Sequence, residues 1–376
     1  MQLAFTPEQQ AHQQTFHAFV QAEVLPRVEA YDEAGVFPPE LVSALGQAGY
    51  LGALAPTSLG GLGLDMLTFG LLNEALGQGC ASARSLLTVH SMVLASLLRW
   101  GSAAQKARWL PGFVSGRLVG AFALTEPESG SDANSLATAA MPDGEGFRLT
   151  GCKKWITFGQ TAGLFLLFAK LDGRTTAFLV ERDTPGLTVV PIAPPAGCRA
   201  SMLAELRLES CRVPAANLLG RAGAGWTYVA NTALDNGRYS VAWGCVGLAQ
   251  ACLDATVAYT GARRQFGAFL KEHQLIQAML TDMVANVEAA RLLCCKAGYL
   301  QQTGDPGAPL ATSLAKYFAA RAAGQVASEA VQAHGANGFS RAYPVQRHWR
   351  DAKVMDVIEG SRQIQQMVIG RAYAGR

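Results

Sequence analysis

Charged residues make up only 16% of this 376-residue chain, and the net charge is +3. So small a surplus leaves no basic footprint for nucleic acid. No apolar run approaches the ~18 residues of a membrane span, so no membrane partner is expected. The N-terminus, MQLAFTPEQQ, has no basic stretch followed by an apolar one and does not read as a secretory signal. The eight cysteines contain no CxxC pair and lie mostly in apolar segments, which suits reduced, buried thiols in a cytoplasmic protein. Vicinal Cys294 and Cys295, inside a helical pattern, read as core packing rather than redox chemistry. Gly61-Leu-Gly63 and Gly223-Ala-Gly225 both lack the third glycine of a dinucleotide fingerprint, so a Rossmann domain is unsupported. The six histidines show no metal spacing, and no Gly-x-Ser-x-Gly elbow stands between a strand and a helix.

What is present falls into three blocks. Residues 1–118 read as helices: Thr6 precedes Pro7 as an N-cap, apolar residues recur at Phe16, Phe19, Val20, Val24 and Val28, and Pro38-Pro39 opens another helix. Residues 119–222 change to short strands. Leu164–Lys170 and Thr176–Val180 flank Asp172-Gly173, a hairpin signal, and Phe147–Ile156, Leu187–Ile192 and Leu203–Leu208 add more. Residues 223–376 return to a helical period. Ile276, Leu280, Met283, Val287, Ala290 and Cys294 form one stripe that Leu275 and Met279 widen, and a break at Thr303–Pro309 implies a helix pair within a bundle. The expected class is α+β: a helical domain, a β domain, then a helical bundle.

The polar segments lie at the seams between these blocks, and there a resemblance emerges. Ala123-Leu-Thr-Glu-Pro-Glu-Ser-Gly-Ser-Asp-Ala133 and Lys154-Trp-Ile-Thr157 resemble the flavin-facing segments of the acyl-CoA dehydrogenase family. Arg263-Arg-Gln-Phe-Gly267 with His273-Gln274, then Ala330-Val-Gln-Ala-His-Gly335, then Arg350-Asp-Ala-Lys353 with Ile358-Glu-Gly-Ser361 complete the series of resemblances. The matches run in family order from Gly60 to Gln365.

The resemblance implies an α+β fold whose middle domain is β-barrel-like and whose C-terminal domain is a four-helix bundle, with FAD as cofactor. It places Phe122, Leu124, Thr125, Ser131, Trp155, Ile156 and Thr157 on the flavin, with hydroxyls for the ring heteroatoms and an indole for the ring face. It places Arg263, Gln265, Phe266, His273, Gln274, Gln332, Gly335 and Ala336 on the rest of the dinucleotide, across a homodimer or homotetramer interface. Ser361 and Gln363 return to the flavin. Glu359 is implied as the base that removes a proton alpha to a thioester while a beta hydride passes to the flavin. Read alone, Glu359 could equally be a carboxylate satisfying a helix start. Gly360 would lie beside the thioester, with Ser131, Asp235 and Arg238 on the substrate.

Some relatives carry the base on the helix around Leu234–Tyr239; that position is Gly237 here, which cannot serve. Trp243 stands where a small residue near the acyl pocket is usual, and it reads either as a limit on acyl length or as helix packing. Phe158 and Ser361 replace a small polar residue and a threonine. The stretch Ser240–Gly247 weakly resembles dehydrogenases of polyketide extender-unit pathways, so an acyl carrier protein could replace CoA. Electrons are expected to leave through an electron-transfer flavoprotein. A flavin monooxygenase on the same fold would lack the base, and a DNA-associated relative would carry an added basic domain.

Overall fold

The computed structural model describes residues 4–375 and divides them into helical, sheet and helical blocks. Thr6 caps α1 (Pro7–Phe19). Its hydroxyl accepts the Gln9 N–H, the Gln9 side chain accepts the Thr6 N–H, and Pro7 takes the first position, where no N–H is needed. Phe16, Val20, Val24 and Val28 are buried as spaced, across a π-helical stretch at Val20–Val24. The helices α2 (Val28–Ala34), α3 (Pro39–Gln47), α4 (Met66–Gly79), α5 (Ala81–Trp100) and α6 (Ala103–Val114) complete this block.

Eight strands follow: β1 (Gly120–Ala123), β2 (Ala139–Asp143), β3 (Gly146–Ile156), β4 (Leu164–Leu171), β5 (Arg174–Glu181), β6 (Leu187–Pro191), β7 (Ala204–Pro214) and β8 (Leu218–Leu219). They form one sheet in the order β6-β7-β3-β2-β4-β5-β8, with β1 parallel to β4. Asp172 and Gly173 have φ of 49° and 74°, the left-handed pair of a two-residue hairpin. β4 is apolar without alternation because both faces are covered. Leu164, Leu166 and Phe168 pack with α5 and α6, while Phe165, Leu167 and Ala169 join the sheet's own core.

The third block holds α7 (Asn231–Ala262), a small hairpin of β9 (Arg264–Gln265) and β10 (Ala268–Phe269), α8 (Gln274–Gln302), α9 (Ala308–His334), α10 (Val345–Met355) and α11 (Arg362–Ala374). The axis is α7, which packs on α9 and α8 of its own block and on α4 and α5 of the first. Two helical segments, Ala81–Trp100 and Gly225–Ala262, are long and apolar enough to cross a membrane by composition, and both are largely buried within this fold. A helix enclosed by protein is apolar nearly all round for the same reason. On α8, Met283, Val287, Ala290 and Cys294 are buried, but Leu275 is 82% exposed. The buried stripe is narrower than the spacing suggested, because position 275 lies about 100° around the helix from 276.

Trp243 of α7 is wholly buried, against Gly70 of α4 and edge-on to Tyr239. A Cβ on Gly70 would come within 2.4 Å of the indole, so glycine at that point lets the two helices close. Trp243→Ala is therefore expected to cost about 3–5 kcal/mol in denaturant unfolding. Gly70→Ala should destabilise as well, since its methyl group meets the ring.

Candidate active site

Between α10 and α11 the chain makes a short loop that ends where Ser361 caps α11, its hydroxyl accepting the Ile364 N–H. In this loop Glu359 has φ of 54° and Gly360 has φ of 86°. Glycine adopts the left-handed region freely, whereas glutamate does so at about 1–2 kcal/mol. Side chains that grip the two carbonyls hold the loop there. Arg238 Nε of α7 and Gln365 Nε2 of α11 donate to the Glu359 carbonyl at 3.3 and 3.0 Å. Lys316 Nζ of α9 and the same Gln365 nitrogen donate to the Gly360 carbonyl at 2.8 and 3.3 Å. Asp356, earlier in the loop, is paired with Arg362 and Lys353.

The Glu359 carboxylate is turned inward. The residue as a whole keeps some exposure, but Oε2 has neither solvent contact nor a hydrogen-bond partner. It lies against Gly237, where a Cβ would come within 2.4 Å of it. The helix position that resembles an alternative site for the base is therefore space that the Glu359 carboxylate fills. Burial raises the Glu359 pKa to about 7, outweighing Arg238, Lys316 and Arg84, which pull it down. Burial also lowers Lys316 to about 8. The backbone N–H of Glu359 donates to nothing among the described residues. One residue thus offers a basic oxygen and an unused hydrogen-bond donor.

A second rigid element lies where β1 leaves toward Ser131 and passes β3. The Lys154 N–H donates to the Thr125 carbonyl at 2.9 Å. Beneath it Lys153, wholly buried, donates to Glu126 Oε1 at 2.7 Å and to the Leu124 carbonyl at 3.1 Å. The Ala137 and Thr138 N–H groups and the Thr138 hydroxyl also donate to Glu126. Burial pushes the Glu126 carboxyl up, yet these donors win and its pKa falls; burial brings Lys153 down to about 8. On the outer side Trp155 is 53% exposed at φ 61°, Ser131 is exposed, and Phe122, Thr125 and Thr157 are half-buried. Leu124 and Ile156 point into the core, so a ligand there meets their backbone. Phe158 is absorbed by packing on Phe37. An exposed indole and small hydroxyls on a braced edge suit a planar heterocycle. This edge and the base meet through one apolar cluster: Phe122, Leu124 and Met92 belong to it, and Met92 Sδ lies beside Gly237.

The remaining expected residues sit elsewhere. Arg263, Gln265, Phe266, Gln274, Gln332, Gly335 and Ala336 are exposed, with Phe266 98% exposed at the β9–β10 turn. His273 contacts the Gln265 carbonyl at 3.1 Å. A surface cavity of about 560 Å³ joins Arg263 to His334 and Asn337, at the end of α9. Within this chain the hydrogen bonds of the set stay on the bundle. Gln363 is exposed on α11. Asp235, close to Arg238, is raised by burial, and its Oδ1 has no partner. Trp243 does not face the base: six residues on from Gly237 is about 120° away around the helix, toward α4, so it packs helices rather than touching the carboxylate.

Comparison with known proteins gives the same outline. The N-terminal, middle and C-terminal domain models of acyl-CoA dehydrogenase match residues 6–117, 121–211 and 223–374. The chain belongs to the acyl-CoA dehydrogenase family. Its members are FAD-dependent oxidoreductases acting on CH–CH bonds. The short-chain specific acyl-CoA dehydrogenase of Rattus norvegicus mitochondria is 38% identical over 362 residues, 95% of this chain and 87% of the relative. The butyryl-CoA dehydrogenase of Megasphaera elsdenii has a TM-score of 0.96 at 36% identity, covering 100% of both chains. The prolyl acyl carrier protein oxidase AnaB has a TM-score of 0.94 at 30% identity, covering 98% of this chain and 100% of that one.

The sequence reading missed Lys316, Gln365 and the Lys153–Glu126 pair. A lone lysine in the small-residue stretch Thr312–Ala323 was the trace left by Lys316. A carboxylate must be ionised to accept a proton, so with Glu359 as the expected base kcat/KM should rise with pH and level off above about 7. Lys316 lowers that pKa, so Lys316→Met should move the midpoint to higher pH. A rapid-reaction pH series on flavin reduction measures it, and an unmoved midpoint would assign the profile to another group.

Proposed function

We propose that this enzyme dehydrogenates a short acyl group carried as a thioester, with Glu359 as its base. One observation carries the reading: Glu359 pairs an unpartnered, buried carboxylate oxygen, poised near neutrality, with an unused backbone N–H. A proton alpha to a thioester is far less acidic than any carboxylic acid. The site must therefore strengthen the base and stabilise the enolate that forms. Desolvation strengthens the base, and the Glu359 N–H can donate to the thioester carbonyl oxygen as charge gathers there. Gly360, gripped by Lys316 and Gln365, keeps that donor and the carboxylate fixed together.

FAD, when bound, supplies the acceptor for the beta hydride. Phe122, Thr125, Ser131, Trp155 and Thr157 would hold its ring system with the backbones of Leu124 and Ile156, and Ser361 and Gln363 would complete that contact. The exposed set of Arg263, Gln265, Phe266, His273, Gln274, Gln332, Gly335 and Ala336 would serve the dinucleotide of a neighbouring copy, which makes the enzyme a homo-oligomer. That so many chemistry-bearing groups lie on the outside of one chain supports this reading.

Asp235 and Arg238 are proposed contacts to the substrate's carrier arm. The short-chain and butyryl relatives support a short acyl-CoA. The carrier-protein oxidase supports the same acyl group on a carrier protein as the alternative. An electron-transfer flavoprotein is the proposed acceptor, in keeping with the likeness (TM-score 0.96) to a chain from the structure described as the electron transferring flavoprotein of Acidaminococcus fermentans. The eight free cysteines support a reducing, cytoplasmic setting.

Glu359→Gln keeps the shape and removes the basicity. The variant should purify yellow, with FAD near one per chain, while flavin reduction by substrate falls by 10²–10⁴ or more. Near wild-type reduction would move the base elsewhere.

A further inference from the structure

Lys153 of β3 is wholly buried, although it carries an ammonium group. It donates to Glu126 Oε1 at 2.7 Å and to the Leu124 carbonyl at 3.1 Å. Burial lowers its pKa to about 8, against the pull of Glu126, so it stays charged at neutral pH. The charge of Glu126 is shared among three more donors, the Ala137 N–H and the N–H and hydroxyl of Thr138. The positive end of the pair rests on the Leu124 carbonyl. A buried ion pair brings little net stability. A neutral amide in place of the ammonium could brace that carbonyl at a smaller desolvation cost. Bracing alone leaves the charge unexplained.

The carbonyl of Leu124 and the N–H of Thr125 belong to one peptide unit. That unit is planar and trans, so the two groups point in opposite directions. With the ammonium on the carbonyl side, the Thr125 N–H is aimed away from the buried pair. It donates to nothing among the described residues. The next group along, the Thr125 carbonyl, accepts from the Lys154 N–H at 2.9 Å, which fixes the peptide against β3. On the same edge stand the exposed Trp155 indole and the half-buried Thr125 and Thr157. An unused N–H beside an exposed ring fits an acceptor atom on a planar heterocycle. A carbonyl held by a cation polarises its peptide and strengthens the N–H at the other end, by roughly 10–30% per bond. Where little water enters, such an effect is weakly screened.

We infer that Lys153 is a positioning residue that raises the reduction potential of the bound flavin, acting through the Leu124–Thr125 peptide. This rests on the reading that this edge holds the FAD ring. Reduction by hydride brings two electrons and one proton, so the ring gains one negative charge. The substrate loses that hydride from its beta carbon and its alpha proton to Glu359, which balances the exchange. A donor backed by an ammonium favours the charged, reduced ring over the neutral, oxidised one. Glu126 keeps the ammonium in place, so the pair holds a charge behind the ring rather than beside the substrate.

The test needs no substrate. Flavin-loaded protein is reduced slowly with dithionite at neutral pH beside a dye of known potential, and the two spectra give the potential of the bound flavin. The wild type should lie above free FAD. Lys153→Gln keeps a donor and removes the charge, and should lower the reduction equilibrium by roughly tenfold, about 30 mV for two electrons. Lys153→Arg keeps the charge and should restore most of that loss. A brace with no electrostatic role gives another pattern: FAD content falls in the variants while the potential of the bound fraction stays put. That pattern overturns the inference. So does a wild-type potential at or below that of free FAD, a measurement that needs no variant to fold. Trp155→Ala tests the edge itself: unchanged flavin content and spectrum there would move the ring elsewhere and take the inference with it.

Discussion

Three side chains from three helices donate to two adjacent carbonyls, those of Glu359 and Gly360, and the site is organised around this grip. The loop it fixes is one that glutamate avoids, since its backbone is left-handed. Four hydrogen bonds to backbone oxygen offset a strain of about 1–2 kcal/mol and leave two groups of the same residue unused, a carboxylate oxygen and an N–H. Strain held in place from several directions keeps the carboxylate and the N–H of this one residue at constant separation. Because α7, α9 and α11 each supply a hand, the loop cannot move without disturbing the whole bundle.

Small residues on α7 make the second half of this arrangement. Gly237 gives its space to the Glu359 carboxylate, Gly244 to the stem of Arg84, and Gly70 on the facing α4 to the ring of Trp243. Each removes a side chain from a crowded helix interface so that a functional or bulky group from elsewhere can enter. The catalytic corner is therefore shared between the N-terminal helices and the bundle, while the sheet contributes a braced edge. The bracing comes from a buried ion pair, Lys153 with Glu126, whose carboxylate takes three further donors. A buried pair of this kind brings little net stability but fixes geometry when its remaining bonds are satisfied.

Local features were legible in the sequence. Thr6-Pro7 is a cap, Asp172-Gly173 is a tight hairpin, and the run at Leu164 is a strand, because caps, turns and periodicity depend on neighbours in the chain. The order of the three blocks was legible too, and the family's domain models follow it. What the sequence hid depends on partners far apart: Lys316 reaches a carbonyl 44 residues away, and Lys153 a carboxylate 27 residues away. A lysine in an apolar stretch looks the same whether it snorkels to solvent or holds a loop. Trp243 illustrates the converse. Its spacing from Asp235 and Arg238 left two directions open, and the packing of α4 on α7 turns its ring toward Gly70. Leu275 read as core by period and lies outside, because a stripe's width is set by what packs on it.

Burial and nearby charge act on Glu359 in opposite directions. Burial drives its pKa up, and Arg238, Lys316 and Arg84 hold it near 7. Arg238 and Lys316 are tied to the loop's own carbonyls. Arg84 makes no ion pair among the described residues and meets the Thr88 hydroxyl and Met355 Sδ instead. Any ligand that excludes water from this corner raises the proton affinity of the carboxylate further. The three cations oppose that rise, so the strength of the carboxylate is set by the balance between burial and charge.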